Sequence, residues 1–171
     1  MNRVTYHLWV KPSGAVRDTL VQTIRELAHE LGSPVFEPHV TLLASLIGNE
    51  QEHAQRSIIA AQQLRPFNII LSEPSYRPEY FQCLFMQVEQ TPALMSANAV
   101  VRRVFQKPDE TYMPHLSLVY GSYPPSRKKA IIRNLPSVLQ TSFEVTALSL
   151  IRADSSDPKE WHEITTCLCT G

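Results

Sequence analysis

The chain has 171 residues, of which 43% are apolar and 19% charged, with 16 Lys and Arg balancing 16 Asp and Glu. That profile excludes a disordered or fibrous polypeptide and fits one domain, or two small lobes on a shared core. It also lacks the basic surplus that a protein needs to hold long nucleic acid by neutralising phosphates. Cut after Phe85, the halves carry 7 basic against 8 acidic residues and 9 against 8, so neither is a polybasic module. The densest basic run, Arg127, Lys128, Lys129 and Arg133, reads as the solvent face of a helix. Neither a signal-peptide core nor a membrane-length apolar window is visible. Cys83, Cys167 and Cys169 form no disulfide framework, which points to the cytoplasm, with the nucleus also open. Cys167 and Cys169 share a strand face without further ligands at zinc spacing, so they read as core thiols.

Residues 5–10 alternate and read as a strand. Val16, Leu20, Ile24, Leu27 and Leu31 recur at helical spacing before Gly32, which predicts a helix over 14–31. Residues 40–46 read as a strand. Asn49 and Glu52 suggest a capping box opening a helix through Ala54, Ile58, Ala61 and Leu64. Residues 67–71 read as a strand and 72–79, with Pro74 and Pro78, as a linker. The order then repeats: a strand over 81–88, a helix opened by Thr91 and Pro92, a strand over 116–120 and a short helix after Pro124 and Pro125. Strands over 143–152 and 161–169 finish the chain. Each half therefore reads strand, helix, strand, helix, strand, with one extra strand at the end. The expected fold is α+β and bilobal: one domain over 1–171, with approximate lobes 1–75 and 76–171. The lobes, open to strand exchange, have mainly antiparallel sheets facing a central cleft and helices outside.

One pattern occurs at equivalent places in both halves. Phe36-Glu37-Pro38-His39-Val40-Thr41-Leu42 matches Tyr112-Met113-Pro114-His115-Leu116-Ser117-Leu118, with the histidines 76 positions apart. Each proline favours an extended chain before it and suits a strand start. Strand alternation puts His39 and Thr41 on one face, with Val40, Leu42 and Ala44 on the other. His115 and Ser117 share a face in the same way. A cleft between the halves would then hold two imidazoles and two hydroxyls around a local two-fold axis. That set suits phosphodiester hydrolysis without a metal. One ring, neutral, draws a proton from water, and the other, protonated, gives one to the leaving alkoxide, each worth roughly 10²–10⁴-fold in rate. The Thr41 and Ser117 hydroxyls can bind the non-bridging oxygens. No carboxylate cluster of the kind metal-dependent sites use accompanies the pair. The competing reading is two buried histidines that anchor strand ends, and burying two such polar pairs beside a cleft costs free energy without a ligand.

The doubled motif resembles the 2H phosphoesterase superfamily, and within it the cyclic phosphodiesterases of plants and fungi. The resemblance runs from Leu8-Trp9 through Phe81-Gln82-Cys83 to Tyr120. It implies cleavage of nucleoside 2′,3′-cyclic phosphates to 2′-phosphates, and of ADP-ribose 1″,2″-cyclic phosphate, a by-product of tRNA splicing. It implies no cofactor, a small cyclic nucleotide as the partner, no long nucleic acid and no membrane; a monomer is expected. His39 is taken as the acid and His115 as the base, an order that the near symmetry of the motifs leaves open. Trp9, Phe81 and Tyr120 are candidates to stack a base. Trp9 and Tyr120 are equally candidates for core packing, and Tyr120 has the parity opposite to His115, so it needs a bend to reach the cleft. His7 shares a face with Trp9 and is a weaker candidate for the cleft. His29 and His53 read as solvated and His162 as structural. Arg77 and Arg152 are either solvated or available to a second phosphate. Two rival readings remain: an RNA-end 2′,3′-cyclic or 2′,5′ phosphodiesterase of the same superfamily, and a nucleotide-binding module without turnover.

Overall fold

In a computed structural model, which describes residues 4–171, the apolar alternation at the start of the chain forms β1 (Tyr6–Val10). The helical stripe forms α1 (Gly14–Leu31), stopped by Gly32 in the left-handed region at φ 65°, whose N–H returns to the Ala28 carbonyl. β2 (Val40–Leu46) follows, then α2 (Glu50–Ala61), where the Asn49 side chain accepts from the Glu52 N–H. After β3 (Phe67–Ser75) and β4 (Leu84–Val88), Thr91 caps α3 (Pro92–Val104) by accepting from the Leu94 N–H. β5 (His115–Val119), α4 (Pro125–Asn134), β6 (Ser142–Val145), β7 (Ala147–Arg152) and β8 (His162–Leu168) complete the chain.

All strand pairs are antiparallel, in the order β6-β3-β4-β5-β2-β1-β7-β8. The halves of the chain trade strands: β3 joins β4 and β6, while β7 and β8 join β1. Only Thr146 separates β6, at one edge, from β7, next to the other. A residue spans less than about 4 Å, so the sheet must curl until those regions adjoin. The helices pack on one side, α1 against β5, α2 against β7 and β8, α3 against β2 and β3. Leu8, Leu42, Leu116, Leu150 and the apolar helix faces close a continuous core there. The other face of β1, β2 and β5 is left open.

Four local expectations need correction. The linker at 72–79 begins as strand: β3 runs on through Pro74 to Ser75, pairing Pro74 with Met86. An irregularity between Leu71 and Pro74 accommodates the missing proline N–H. The strand expected over 81–88 opens instead with a 3-10 turn, Tyr80–Gln82. The strand expected over 143–152 is two strands serving different partners. In the basic run, Lys128 is only 3% exposed, and its ammonium donates to the Arg77 carbonyl at 2.6 Å. Cys167 and Cys169 are buried in the core, as is Cys83.

Candidate active site

The two motif strands lie side by side. β2 meets β5 through one pair, Val40 opposite Leu116, the residue after the histidine in each copy. Pairing a motif position with its own equivalent places a local two-fold axis between the strands. The histidines are held alike. His39 Nδ1 lies 2.7 Å from the Glu37 carbonyl and His115 Nδ1 lies 3.1 Å from the Met113 carbonyl. A carbonyl only accepts, so Nδ1 carries the proton in both rings and Nε2 is the free nitrogen. Pro38 and Pro114 hold those carbonyls by fixing the chain between carbonyl and ring.

The register shows the symmetry reaching further. Trp9 pairs with Thr41 and Leu8 with Leu43, which leaves Leu42 as an extra residue on β2. Phe85 pairs with Ser117 and Leu84 with Val119, which leaves Leu118 as the extra residue on β5. Each bulge follows the motif hydroxyl and flips the face of the residues after it. This is the bend that Tyr120 needed, and it turns Tyr120 into the open face. The same flip corrects Ala44: it lines the open face with His39 and Thr41 rather than lying opposite them.

These residues surround a cavity of about 530 Å³ lined by His39, Thr41, His115, Ser117, Trp9, Phe81 and Tyr120, together with His7 and Trp161. All seven residues singled out from the sequence are thus brought together. Trp9 is stacked on His39, with ring centres 3.5 Å apart and planes 7° from parallel. Tyr120 is stacked on Phe36 at 3.8 Å, and Phe81 stands edge-on to Tyr120 at 5.1 Å. Trp9 and Tyr120 are therefore buried in packing and also form wall, whereas Phe81 is 42% exposed. Trp161 was missed; it approaches Trp9 edge-on at 5.6 Å and its indole N–H donates to the Ser155 carbonyl at 2.8 Å. Nothing in its local sequence marks it, because a loop carries it to the site.

The two hydroxyls differ. Ser117 donates to the Phe81 carbonyl at 2.8 Å, while the Thr41 side chain has no such partner among the described residues. The Thr41 carbonyl instead accepts from the Tyr112 hydroxyl at 2.9 Å, tying the second motif to the first. Burial holds the His39 imidazole at about 3, far below its ordinary 6.5, against the opposing pull of the Glu37 carbonyl; the proximity of Lys11, and of His115 and His7 whenever they are protonated, lowers it further. Burial likewise lowers His115, and Arg77 adds to the shift. Both rings are therefore neutral near pH 7 in the unliganded protein.

Arg77 and Arg152 do not line the cavity: Arg77 is exposed, and the Arg152 Nε donates to Asp154 at 2.7 Å. His29 and His162 are exposed. His53 is not solvated as expected. It is 7% exposed, between Tyr6 and Phe105, because Ser57, Ala60 and Ala61 turn the same helix face into the core. Among the described residues no group of three His, Cys, Asp or Glu is arranged to hold a metal ion, and no helix is long and apolar enough to cross a membrane.

A family model described as cyclic phosphodiesterase-like protein matches residues 4–166. The chain belongs to this family. A cyclic phosphodiesterase of Arabidopsis thaliana is 28% identical over 169 residues, covering 95% of this chain and 93% of its own. A 2′,3′-cyclic-nucleotide 3′-phosphodiesterase of Yarrowia lipolytica is 32% identical over 115 residues, covering 63% of this chain and 51% of its own. The crystal structure of TT0787 from Thermus thermophilus superposes with a TM-score of 0.68 at 20% identity, covering 98% of both chains, which shows a common fold. The doubled histidine motif thus sits in a cyclic phosphodiesterase of the 2H phosphoesterase group.

Proposed function

We propose that this cyclic phosphodiesterase opens small cyclic phosphates by a metal-independent, two-histidine mechanism. The substrates are nucleoside 2′,3′-cyclic phosphates, yielding 2′-phosphates, and ADP-ribose 1″,2″-cyclic phosphate, yielding ADP-ribose 1″-phosphate. The observation that carries this reading is the matched pair of rings, each with Nδ1–H held by a backbone carbonyl and Nε2 left free, lining one cavity. His115 Nε2 takes a proton from water as the water oxygen bonds to phosphorus. The bond from phosphorus to the 3′ oxygen breaks, and His39 Nε2 gives its proton to that oxygen. The product carries a 2′-phosphate and a 3′-hydroxyl, and solvent exchange resets both rings.

The anionic substrate raises the proton affinity of the ring beside it, which loads the acid. The order of roles rests on the resemblance, because burial holds the free His39 ring at about 3 and it takes up the acid's proton only beside the bound anion. Thr41 donates to a non-bridging oxygen as charge builds there. Ser117 does the same only after turning from the Phe81 carbonyl. The aromatic wall of Trp9, Phe81 and Tyr120 takes the base. The neutral chain works as a monomer on small substrates in the cytoplasm, without long nucleic acid.

Phosphorus NMR of adenosine 2′,3′-cyclic phosphate incubated with the protein and EDTA tests the reading. The 2′-monophosphate is expected. Appearance of the 3′-monophosphate, or loss of activity on chelation, refutes it. His39→Ala and His115→Ala should each lower kcat by at least about 10²-fold; near-normal turnover in either removes the mechanism.

A further inference from the structure

The 76-residue symmetry gives the cavity two equivalent ends with unlike chemistry. One end carries Phe81 and Tyr120. The offset that maps His39 onto His115 also maps Thr5 onto Phe81 and Ala44 onto Tyr120, and the register obeys it through Leu8 with Leu43 and Leu84 with Val119. At the second end, therefore, a threonine and an alanine replace two aromatic rings. Alanine leaves open the volume that a tyrosine fills opposite. His7 projects there, two strand positions or about 7 Å along β1 from Trp9. Its ring makes no hydrogen bond among the described residues, and the acid–base step does not use it. Ala153, Asp154, Ser155 and Ser156 also line the cavity, as a loop joined to this end through Thr5 and to the aromatic end through Trp161, whose N–H donates to the Ser155 carbonyl.

We propose that this polar end is a subsite for a second phosphate of the substrate, carried on the 5′ side of the ribose, with His7 as its main ligand. The proposal rests on the function proposed above. In a nucleoside 2′,3′-cyclic phosphate the base at C1′ and the 5′ carbon at C4′ stand on the same face of the ribose, flank the ring oxygen and diverge from its two edges. With the base against the aromatic end, the 5′ group points to the polar one. The donors there suit an anion. Ser155 Oγ accepts from the Asp157 N–H, which leaves its own proton free, and the backbone amides of Asp154, Ser155 and Ser156 donate to no backbone carbonyl among the described residues. Thr5 fastens this loop to β1, donating to the Ala153 carbonyl and accepting from the Ala153 N–H. Of the Asp154 carboxylate, Oδ2 accepts from the Arg152 guanidinium, which offsets its charge, while Oδ1 is buried without a partner among the described residues.

The test compares kcat/KM for adenosine 2′,3′-cyclic phosphate with and without a 5′-phosphate, in the intact protein, His7→Leu and His7→Lys. Using the ratio cancels any effect of His7 on the nearby His39. The intact protein should prefer the 5′-phosphorylated substrate by about 10-fold or more, the scale of a hydrogen bond to a charged group. The preference should fall towards one in His7→Leu and persist in His7→Lys. A ratio near one in the intact protein, or an unchanged ratio in His7→Leu, overturns the subsite while leaving the mechanism standing. If the intact protein opens neither substrate, the proposed function falls and the subsite with it. ADP-ribose 1″,2″-cyclic phosphate and a short oligoribonucleotide with a 2′,3′-cyclic end form two further arms. The larger His7-dependent gain assigns the second phosphate to a pyrophosphate or to an RNA diester.

Discussion

His39 and His115 are chemically alike but electrostatically unequal. His39 is 7% exposed, lies flat on Trp9 and is held at about 3; His115 is only partly buried and meets Phe85 edge-on at 5.3 Å. The proposed mechanism needs one ring protonated and the other neutral. With both values lowered in the free enzyme, that state becomes scarcer as pH rises above 6.5. The profile of kcat/KM, which reports the free enzyme, should therefore peak on the acid side of 6.5. A bound phosphodiester raises the proton affinity of the acid, so the kcat profile should peak at higher pH. Full profiles on adenosine 2′,3′-cyclic phosphate check this. A kcat/KM optimum well above about pH 7 would mean that the free rings are not held down by burial.

At the scale of elements, the site depends on where strands depart from regularity. The bulge at Leu118 brings Tyr120 into the cavity, and Gly121 then turns the chain at φ 153°. A Cβ there would come 2.5 Å from Tyr123 Cε2, and Tyr123 is tethered through its hydroxyl to the Leu31 carbonyl. The Gly121 N–H also donates to the Tyr80 carbonyl, holding the turn that presents Phe81. Gly121→Ala should therefore destabilise the protein by about 1–3 kcal/mol, lowering Tm by several degrees, and raise KM. An unchanged melting curve would show that the turn is less constrained than its geometry indicates. These irregularities also separate what was legible in the sequence from what was not. The helix over 14–31 and the strand over 40–46 were legible because their signals are local: a five-residue apolar stripe ending at Gly32, and a β-rich run after Pro38. The histidine pair was legible because duplication repeated it. The bulges at Leu42 and Leu118 exist only relative to partner strands, so the face of Ala44 was misassigned and that of Tyr120 needed an unspecified bend. Lys128 and His53 were misread because an isolated helix does not reveal which polar residue will be covered.

At the scale of the whole molecule, four histidines lie inside one small fold as neutral rings. Burial lowers the proton affinity of His7, His39, His53 and His115 alike. In each, the folded value lies below the unfolded one near 6.5, so below that pH the unfolded chain binds more protons than the folded chain. Stability therefore rises with pH across this window and is fully present above it. Acidification withdraws it progressively from about 6.5 down to the folded values, the lowest being about 3 for His39. His53 isolates the effect from catalysis. It lies 5.2 Å from the Tyr6 ring and 5.9 Å from the Phe105 ring, neither ring nitrogen makes a regular hydrogen bond among the described residues, and burial outweighs the opposing pull of Glu52 and of the Ile47 carbonyl. Protonating it puts a charge among aromatic rings, and the fold must open or bear the desolvation cost. Urea midpoints of the intact protein should be level from about pH 8 to 7 and fall steadily from about 6.5 to 5. His53→Leu keeps the side chain apolar and similar in size, and it should make that fall shallower. Equal slopes for the two proteins would show that His53 does not contribute to acid sensitivity, whatever their midpoints in mild alkali.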